Sequence, residues 1–393
     1  MNTNLDEIVL PASLKTIPKY WFSGISANTQ LTIPEGVEVI DEYAFACGEF
    51  TTINIPASVS KIGKYAFYNC DKLTTVNIAG GNVRLNINDY AFQNCTSIEN
   101  MVFPARLRED PTITTTVYTL GQYSFKNCTS LKSVTFEETP EENGVDGVLT
   151  IGTEAFSGCT ALTSAVLPAA LGDGSYTNTS GTTYLIYAMG SKVFYNCTSL
   201  TSVTFNAADT NEISMQASIF EGCASLRNIE LPSTLISLGG KLLAGTAIES
   251  IVIPESVATL NMTSGYYYDE YGVYKSSSSL GLYFENCANL KSVTIKAQAT
   301  SIPMYSFGAC PSLEEIKFET DTITEIKYGA FAGCTSITNL TLPTSVSIIG
   351  GYAFDGWTAA QTINLNKTVK QCNAMTVFWT MGCNANIIYL PEA

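Results

Sequence analysis

The feature of this sequence that most constrains its fold is a short motif that returns from one end of the chain to the other. In the stretch KYAFYNC the motif is complete, with Phe67 three residues ahead of Cys70. Successive copies mostly stand 22 to 26 residues apart. The aromatic position of the motif is held by Phe22, Phe45, Phe67, Phe92, Phe125, Phe156, Phe194, Phe220, Leu243, Phe284, Phe307, Phe331, Phe354 and Phe378. A period near 23 residues predicts a single solenoid of about 14 repeats across 1–393, without a linker or a second domain.

Each repeat follows the pattern LxxVxIPxxVxxIGxxAFxxC. Leu73, Val76 and Ile78 belong to a short β-branched run, which predicts a β-strand that a proline ends in many repeats. The VxxIG segment, as at Val59 and Ile62, predicts a second extended stretch that ends in a turn. The KYAFYNC segment predicts one helical or 3-10 turn. The predicted fold class is a repeat solenoid, mainly of short strands with short helical or 3-10 turns, around a core of stacked phenylalanine rings.

Composition excludes several classes of function. The chain has no histidine, which removes the Ser-His-Asp triad, the Cys-His pair and imidazole metal ligands. Its 20 lysines and arginines against 35 aspartates and glutamates give a formal net charge of −15, whereas nucleic acids and anionic lipids need a cationic surface. No apolar run reaches about 18 residues, so we expect no direct insertion into a membrane.

The twelve cysteines allow three interpretations. Ten are assigned to one place in the repeat, and Cys372 and Cys383 to positions outside it; the ten are Cys47, Cys70, Cys95, Cys128, Cys159, Cys197, Cys223, Cys287, Cys310 and Cys334. We expect buried thiols that act as small fillers, because equivalent side chains of stacked coils point the same way whereas disulfides need converging ones. Trp357 and Thr246 replace cysteine in two repeats, which indicates selection for bulk. A disulfide framework, or a Cys372–Cys383 pair, is the alternative; metal sites and cofactors are not expected, since CxxC spacing is absent.

The repeats resemble the BspA-type, or treponemal-type, leucine-rich repeat. The matching stretches include IGKYAFYNCDKLTTVNI at 62–78 and YGAFAGCTSITNLTLPTSVSIIGGYAF at 328–354. This resemblance implies a right-handed leucine-rich-repeat superhelix with a strand on its concave side. It also implies surface or secreted proteins of bacteria or parasitic protists that adhere to host or neighbouring-cell molecules, and it carries no catalytic residues. The N-terminal MNTNLDEIVLPASL is unlike a signal peptide, so we expect a leader or N-terminal module to be absent from this chain.

The outward residues of the predicted strands are mainly Thr, Ser and Asn. They are Thr52, Asn54, Thr75, Asn77, Ser133, Thr135, Ser202, Thr204, Ser292, Thr294, Asn339 and Thr341, interrupted by Glu315 and Lys317. Threonine and serine suit exposed strands in any case, and binding hot spots are usually aromatic or Arg. The same surface is also a candidate broad, shallow site for a protein or a glycan.

Four repeats exceed the base period by 8 to 18 residues, and insertions in a solenoid usually form loops on one face. Hairpin-like insertions are predicted near 104–121, 137–152, 168–190 and 254–281. Tyrosine combines an apolar ring with a polar tip, as binding loops require. The candidate ligand-binding residues are Tyr266, Tyr267, Tyr268, Tyr271, Tyr274, Tyr176, Tyr184 and Tyr187. The alternative is that these tyrosines pack the insertions against their own coils.

The predicted function is that of a non-catalytic cell-surface or secreted binding protein, with a protein or glycan ligand that the sequence does not identify. An architectural solenoid that presents another module is the alternative. A glycan-active enzyme is a remote one, because Glu230 and Glu315 are several coils apart and no convergent pair of carboxylates is recognisable. The sequence does not indicate an oligomeric state.

Overall fold

The computed structural model describes most of the chain, which divides into two compact units, 1–214 and 215–393. The described residues are 10–25, 31–107, 118–138, 148–177, 180, 182–206, 211–260, 263–268, 274–308, 310–365, 370–371 and 379–390. For residues 31, 176–177, 183, 263–268, 274–280 and 370–371 the description covers the backbone alone. Short parallel strands dominate both units, and no helix occurs among the described residues.

The strands of unit 1 are β1 (Thr16–Ile17), β2 (Leu31–Thr32), β3 (Val39–Ile40), β4 (Thr52–Ile55), β5 (Lys61–Ile62), β6 (Thr75–Ile78), β7 (Asn86–Ile87), β8 (Asn100–Phe103), β9 (Ser133–Phe136), β10 (Ser164–Leu167), β11 (Gly174–Thr177), β12 (Thr183–Ile186) and β13 (Ser202–Phe205). Strand β14 (Ile213–Met215) lies at the boundary. The strands of unit 2 are β15 (Leu235–Leu238), β16 (Ser250–Ile253), β17 (Thr259–Leu260), β18 (Thr263–Tyr268), β19 (Tyr274–Leu280), β20 (Ser292–Ile295), β21 (Ser301–Ile302), β22 (Glu315–Phe318), β23 (Glu325–Ile326), β24 (Asn339–Thr341), β25 (Ile348–Ile349), β26 (Thr362–Leu365), β27 (Lys370–Gln371) and β28 (Asn386–Tyr389).

Most coils contribute one long strand and one shorter strand or single bridge, and equivalent strands of successive coils pair in parallel. In unit 1 the long strands form the sheets β2-β4-β6 and β8-β9-β10-β13, and the short ones form β1-β3-β5-β7. In unit 2 the corresponding sheets are β16-β20-β22, β24-β26-β28 and β21-β23-β25-β27. The long strands alternate buried and exposed residues, as in β8, because only one face of each strand meets the core. The prediction that all of 1–393 is one solenoid stays a prediction.

The turn after each short strand consists of overlapping hydrogen bonds. In the coil of Phe67, the amides of Ala66 and Tyr68 donate to carbonyls three residues back at 3.2 and 3.1 Å, as in a 3-10 turn. The amides of Tyr65 and Asn69 instead donate to the next coil at 3.2 and 2.9 Å. Both residues have positive φ, 58° and 57°, which rotates alternate peptides outward. A series of linked turns therefore takes the place of the predicted helical or 3-10 turn, because every second amide donates its hydrogen bond to the next coil.

The glycine that precedes this turn is required by a close approach of two backbones. A Cβ atom on Gly63 would lie 2.7 to 2.9 Å from the backbone of Ile40, Asp41 and Glu42 in the preceding coil. Real side chains essentially never come so near, so the coils stack at this distance only with glycine. The glycine of the VxxIG pattern is thus explained by packing.

The phenylalanines at the motif position form a buried column, here called the phenylalanine column. Neighbouring rings stack with centroids 4.8 to 5.6 Å apart in unit 1 and 5.3 to 5.4 Å apart between Phe284 and Phe354 in unit 2. Phe67 and most of its equivalents are fully buried. This confirms the prediction of a stacked aromatic core.

The cysteines three residues later form a second inner column. Their Sγ atoms donate to the carbonyl of the motif residue one coil earlier at 3.0 to 3.3 Å, as for Cys70, Cys95, Cys128, Cys159, Cys197, Cys287, Cys310 and Cys334. All eight thiols are buried and form no disulfide, which confirms the interpretation of these cysteines as buried fillers. Burial raises the pKa of the Cys159 and Cys334 thiols to about 12. Trp357 replaces a cysteine and donates its Nε1–H to the Phe331 carbonyl at 3.0 Å, so the position selects a hydrogen-bond donor as well as bulk.

Two cysteines were assigned to the wrong place in the repeat. Cys47 is two residues after Phe45, has a φ of 57° and is exposed; Gly48 takes the inner place, where the ring of Phe50 would lie 2.4 Å from an added Cβ. At the other end of the chain, the amide of Cys383 bonds to the Thr380 carbonyl at 3.1 Å, as that of Cys70 does to Phe67.

Cys383 is therefore in frame, with Thr380 at the motif position that the prediction gave to Phe378. Phe378 and Cys372 lie outside the described residues, and Cys383 carries a free thiol. The buried ring of Trp379 packs edge-on against Phe354, with centroids 6.1 Å apart, and supplies the aromatic contact that Thr380 lacks. The prediction failed here because the two marks of the motif disagree: Phe378 indicates one register, whereas Cys383 indicates another that lies two residues later.

Candidate binding surfaces

The outward side chains of the long strands form rows of amides and hydroxyls. In the pair β4–β6, Thr52 lies opposite Thr75 and Asn54 opposite Asn77. The Nδ2 atom of Asn77 donates to Oδ1 of Asn54 at 2.8 Å. The parallel register thus brings together the strand-face residues expected from the sequence, one coil apart.

An open cavity of about 870 Å³ lies along this face in unit 1. Its lining includes Thr32, Asn54, Thr75, Asn77, Asn100 and Val102, with Glu35, Glu99 and Glu137 at its margin. Lys132 pairs with Glu99 at 2.8 Å, and Ser133 Oγ donates to Asn100 Oδ1 at 2.7 Å. This cavity is here called the unit 1 groove. Its floor is neutral and rich in hydrogen-bonding groups, whereas its margin carries three glutamates.

The equivalent face of unit 2 carries more charge. Its cavity of about 600 Å³ is lined by Glu315, Lys317, Glu319, Asp321 and Asn339, among others. Glu319 pairs with Lys317 and, at 3.4 Å, with Lys296. The hydrogen bond from Lys317 holds the pKa of Glu319 below its ordinary value. The charged interruption that the sequence indicates at Glu315 and Lys317 is therefore partly an internal ion-pair network.

Antiparallel strand pairs lie within two of the four insertions. Strands β11 and β12 pair within 168–190, with Tyr176 opposite Tyr184. Strands β18 and β19 pair within 254–281, with Tyr268 opposite Tyr274. Residues 108–117 and 139–147, in the other two insertions, lie outside the described residues.

The candidate tyrosines of the insertions differ in their surroundings. Tyr184 is 46% exposed, and Tyr187 is half-buried near Tyr118 of another insertion. Burial raises the pKa of the Tyr118 phenol, and Tyr187 adds to that shift. Tyr187 thus serves packing at least in part. The side chains of Tyr176, Tyr266, Tyr267, Tyr268 and Tyr274, and the whole of Tyr271, lie outside the described residues.

A column of tyrosines on the surface of unit 1 was missed at the sequence level. Tyr20, Tyr43, Tyr65, Tyr90 and Tyr123 each stand two residues before a motif phenylalanine. Their rings stack face to face with centroids 4.6 to 4.9 Å apart. Partial burial raises the pKa of the three inner phenols, Tyr43, Tyr65 and Tyr90. The available signal was the recurrent YxF spacing; this set is here called the tyrosine column.

Glu230 and Glu315, the two carboxylates named for the remote enzyme alternative, lie apart in the described structure. Glu230 lines a cavity with Ile251 and Val252, whereas Glu315 lines a different one. Within the described ranges, no group of three or more Cys, Asp or Glu is placed to hold a metal ion. The described segments likewise contain no helix able to cross a membrane.

A family model agrees with this repeat architecture. The BspA-type leucine-rich repeat region matches residues 1–112, 108–186, 145–269 and 282–392. These matches cover well over half of the sequence, so the chain belongs to the BspA-type leucine-rich repeat family. Proteins of this class are in general non-enzymatic repeat proteins.

A comparison with solved structures finds several leucine-rich repeat proteins. A leucine-rich repeat protein from Bacteroides ovatus is 25% identical over 91% of this chain and 77% of its own, with a TM-score of 0.55. A leucine-rich cell surface protein from Faecalibacterium prausnitzii is 21% identical over 98% and 88%, with a TM-score of 0.41. The pneumococcal vaccine antigen PcpA is 20% identical over 98% and 79%, with a TM-score of 0.43. A comparison with curated proteins finds no match.

Proposed function

We propose that this chain is a non-catalytic binding protein, secreted or displayed at a cell surface, that adheres to protein or glycan ligands of host or neighbouring cells. Membership of the BspA-type family supports this role. The single observation that carries it is the unit 1 groove, which offers rows of amides and hydroxyls along paired parallel strands.

The groove suits recognition of polar, uncharged groups. Asn54 and Asn77 bond to each other, yet each amide keeps further donor and acceptor capacity. Such groups can bond hydroxyls of a glycan or peptide units of a protein. Because the parallel ladder holds the rows in place, little conformational entropy is lost on binding. The tyrosine-bearing insertions are a second candidate surface, since tyrosine supplies contact area at low entropic cost.

The test is a binding screen of the purified chain against mucins, matrix proteins and a glycan array. One variant replaces Asn54 and Asn77 with Arg, which fills the groove without touching the core. A second replaces 264–279 with a short Gly-Ser turn. Ser292→Arg/Thr294→Arg, on a strand face of unit 2, is the matched control.

Loss of binding in the groove variant alone assigns the ligand to the strand face, and loss in the shortened variant alone assigns it to the insertion. Equal loss in the control and the groove variant would show a non-specific charge effect. No binding by the parent chain to any ligand would overturn the proposal in favour of an architectural solenoid.

A further inference from the structure

The tyrosine column is flanked by charges that alternate in sign from coil to coil. The residue immediately before each of the first four tyrosines is, in order, Lys19, Glu42, Lys64 and Asp89. Their side chains are 34 to 46% exposed. The row therefore presents plus, minus, plus, minus along one edge of a stack of aromatic rings.

Contacts within the chain hold this row in order. Lys19 Nζ pairs with Glu42 at 2.6 Å and Lys64 Nζ with Asp89 at 3.8 Å. Lys19 also lies 5.1 Å from the centroid of the Tyr20 ring, and Lys64 lies 5.4 Å from that of Tyr90. The lysines are thus positioned by both ion pairs and cation–π contacts.

An alternating row with an even number of charges is complementary to its own reverse. A two-fold axis perpendicular to the row, at its middle, places Lys19 opposite Asp89 of a second copy and Glu42 opposite Lys64. All four sites then meet the opposite sign, which is the condition for an isologous contact. We propose that the tyrosine column and its charged edge form a self-association surface, through which two copies of this chain pair in antiparallel orientation.

The aromatic rings supply the apolar part of this surface. Tyr20 is 53% exposed at the end of the column, next to the exposed ring of Trp21. Tyrosine and tryptophan are enriched in the centres of protein interfaces, because they bury apolar area and still hydrogen-bond through a polar tip. In the antiparallel pair, these two rings of one copy meet the Tyr90 end of the other.

Other charges near the row do not destroy the complementarity. Asp41 precedes Glu42 and adds a second carboxylate at that step, which faces Lys64 of the other copy. Lys126 and Glu154 pair at 2.5 Å in the two coils beyond Tyr90, and the row itself ends at Asp89, because the equivalent positions in those coils are the neutral Gln122 and Thr153. The formal net charge of −15 opposes association at low ionic strength, so the contact depends on local pairing.

The expected association is weak. A ridge five coils long and about one side chain wide is much smaller than the ~800 Å² per partner of a standard interface. A dissociation constant on the order of 0.1 to 1 mM is expected, in the range of transient contacts. Such a contact acts where copies are concentrated, independently of the ligand proposed above.

The decisive experiment is a charge-exchange series followed by sedimentation velocity up to about 1 mM chain. The variant K19E/K64E makes the row wholly acidic, and E42K/D89K makes it wholly basic at the same four sites. Each variant alone should lose self-association, and an equimolar mixture of the two should associate more tightly than the parent, by about tenfold. The control K132E/K296E changes net charge by the same amount as K19E/K64E at comparably exposed, paired lysines and should behave as the parent.

Three outcomes would overturn the proposal: a parent chain that stays monomeric throughout, single-sign variants that associate as the parent does, or a mixture that fails to associate. Circular dichroism melts of all variants accompany the series. Because the four side chains lie outside the core, their exchange should shift the melting temperature only slightly, which separates lost association from lost folding.

Discussion

The phenylalanine column and the tyrosine column of unit 1 are two residues apart in sequence, and the same ladder of hydrogen bonds carries both. Phe67 and Tyr65 each donate an amide to the next coil, and both rings stack on equivalents in adjacent coils at about the spacing of the ladder. One column is buried and the other is half-exposed. The backbone thus sets the stacking of both columns, whereas the exposure of each position to solvent determines which side chains it accepts.

The two columns accordingly differ in how strictly their residues recur. The inner position departs from phenylalanine only at Leu243 and Thr380 within the described residues. The outer position varies widely after the fifth coil, where it is held in order by Glu154, Lys192, Ser218, Lys241, Leu282, Tyr305, Gly329 and Tyr352. All of these keep a positive φ. The backbone requirement therefore persists in coils where the tyrosine does not.

The difference between the two columns should be largest when one residue of each is truncated to alanine. Phe67→Ala should lower the free energy of unfolding by about 3 to 5 kcal/mol, because it leaves a cavity in a packed column. Tyr65→Ala should cost only about 1 kcal/mol, the value of its exposed stacking contacts. Chemical denaturation measures both. Equal losses would show that the exposed column supports the fold as much as the buried one.

A smaller loss of stability tests whether the position of the buried cysteines requires a hydrogen-bond donor. Trp357→Phe removes the N–H that bonds to the Phe331 carbonyl and should destabilise the chain by about 2 kcal/mol, since a buried acceptor loses its partner. Denaturation of the parent and the variant gives the difference. A variant as stable as the parent would support the interpretation that this position needs bulk alone.

Alkaline pH should reduce the contribution of the buried cysteines to the free energy of unfolding. Burial raises the pKa of Cys159 to about 12 from an ordinary value of 9.0, so the unfolded chain loses this proton first as pH rises. Stability from this thiol is complete below pH 9 and is lost progressively toward pH 12, by about 1 kcal/mol at pH 10. The fall in unfolding free energy between pH 8 and 10 should be smaller in Cys159→Ala by that amount. An identical fall in the two proteins would contradict it.

The mildest probe leaves stability unchanged and asks which cysteine faces solvent. Iodoacetamide should alkylate Cys47 well before Cys70 or Cys95 in the native chain, because Cys47 alone of the three is exposed and burial holds the pKa of Cys95 well above its ordinary value. Peptide mass spectrometry follows the rates, with Cys47→Ser as the control. If Cys95 were labelled as fast as Cys47, both thiols would have to face solvent, which would contradict the inner position of Cys95.

Predictions from the sequence succeeded at positions where the same residue type meets the same packing requirement in every coil. The phenylalanine period led to the strands, the coil length and the buried thiols. Assignment failed at Cys47 and Cys383, because a spacing of two or three residues decides whether a side chain points inward, and composition does not report that choice. The tyrosine column was not predicted, because the YxF spacing of regular coils does not by itself report that the outer rings of successive coils stack on one another.

The sequence by itself determined the repeat, the parallel pairing of equivalent segments and the identity of the core residues, since each depends on a local pattern repeated at a constant period. Only the tertiary structure decided which residues meet across coils. The Asn54–Asn77 bond, the thiol-to-carbonyl contacts and the alternating charges beside the stacked tyrosines join residues 23 to 44 positions apart. Their contact depends on the exact stacking of one coil on the next, which the closed ladder of backbone hydrogen bonds imposes.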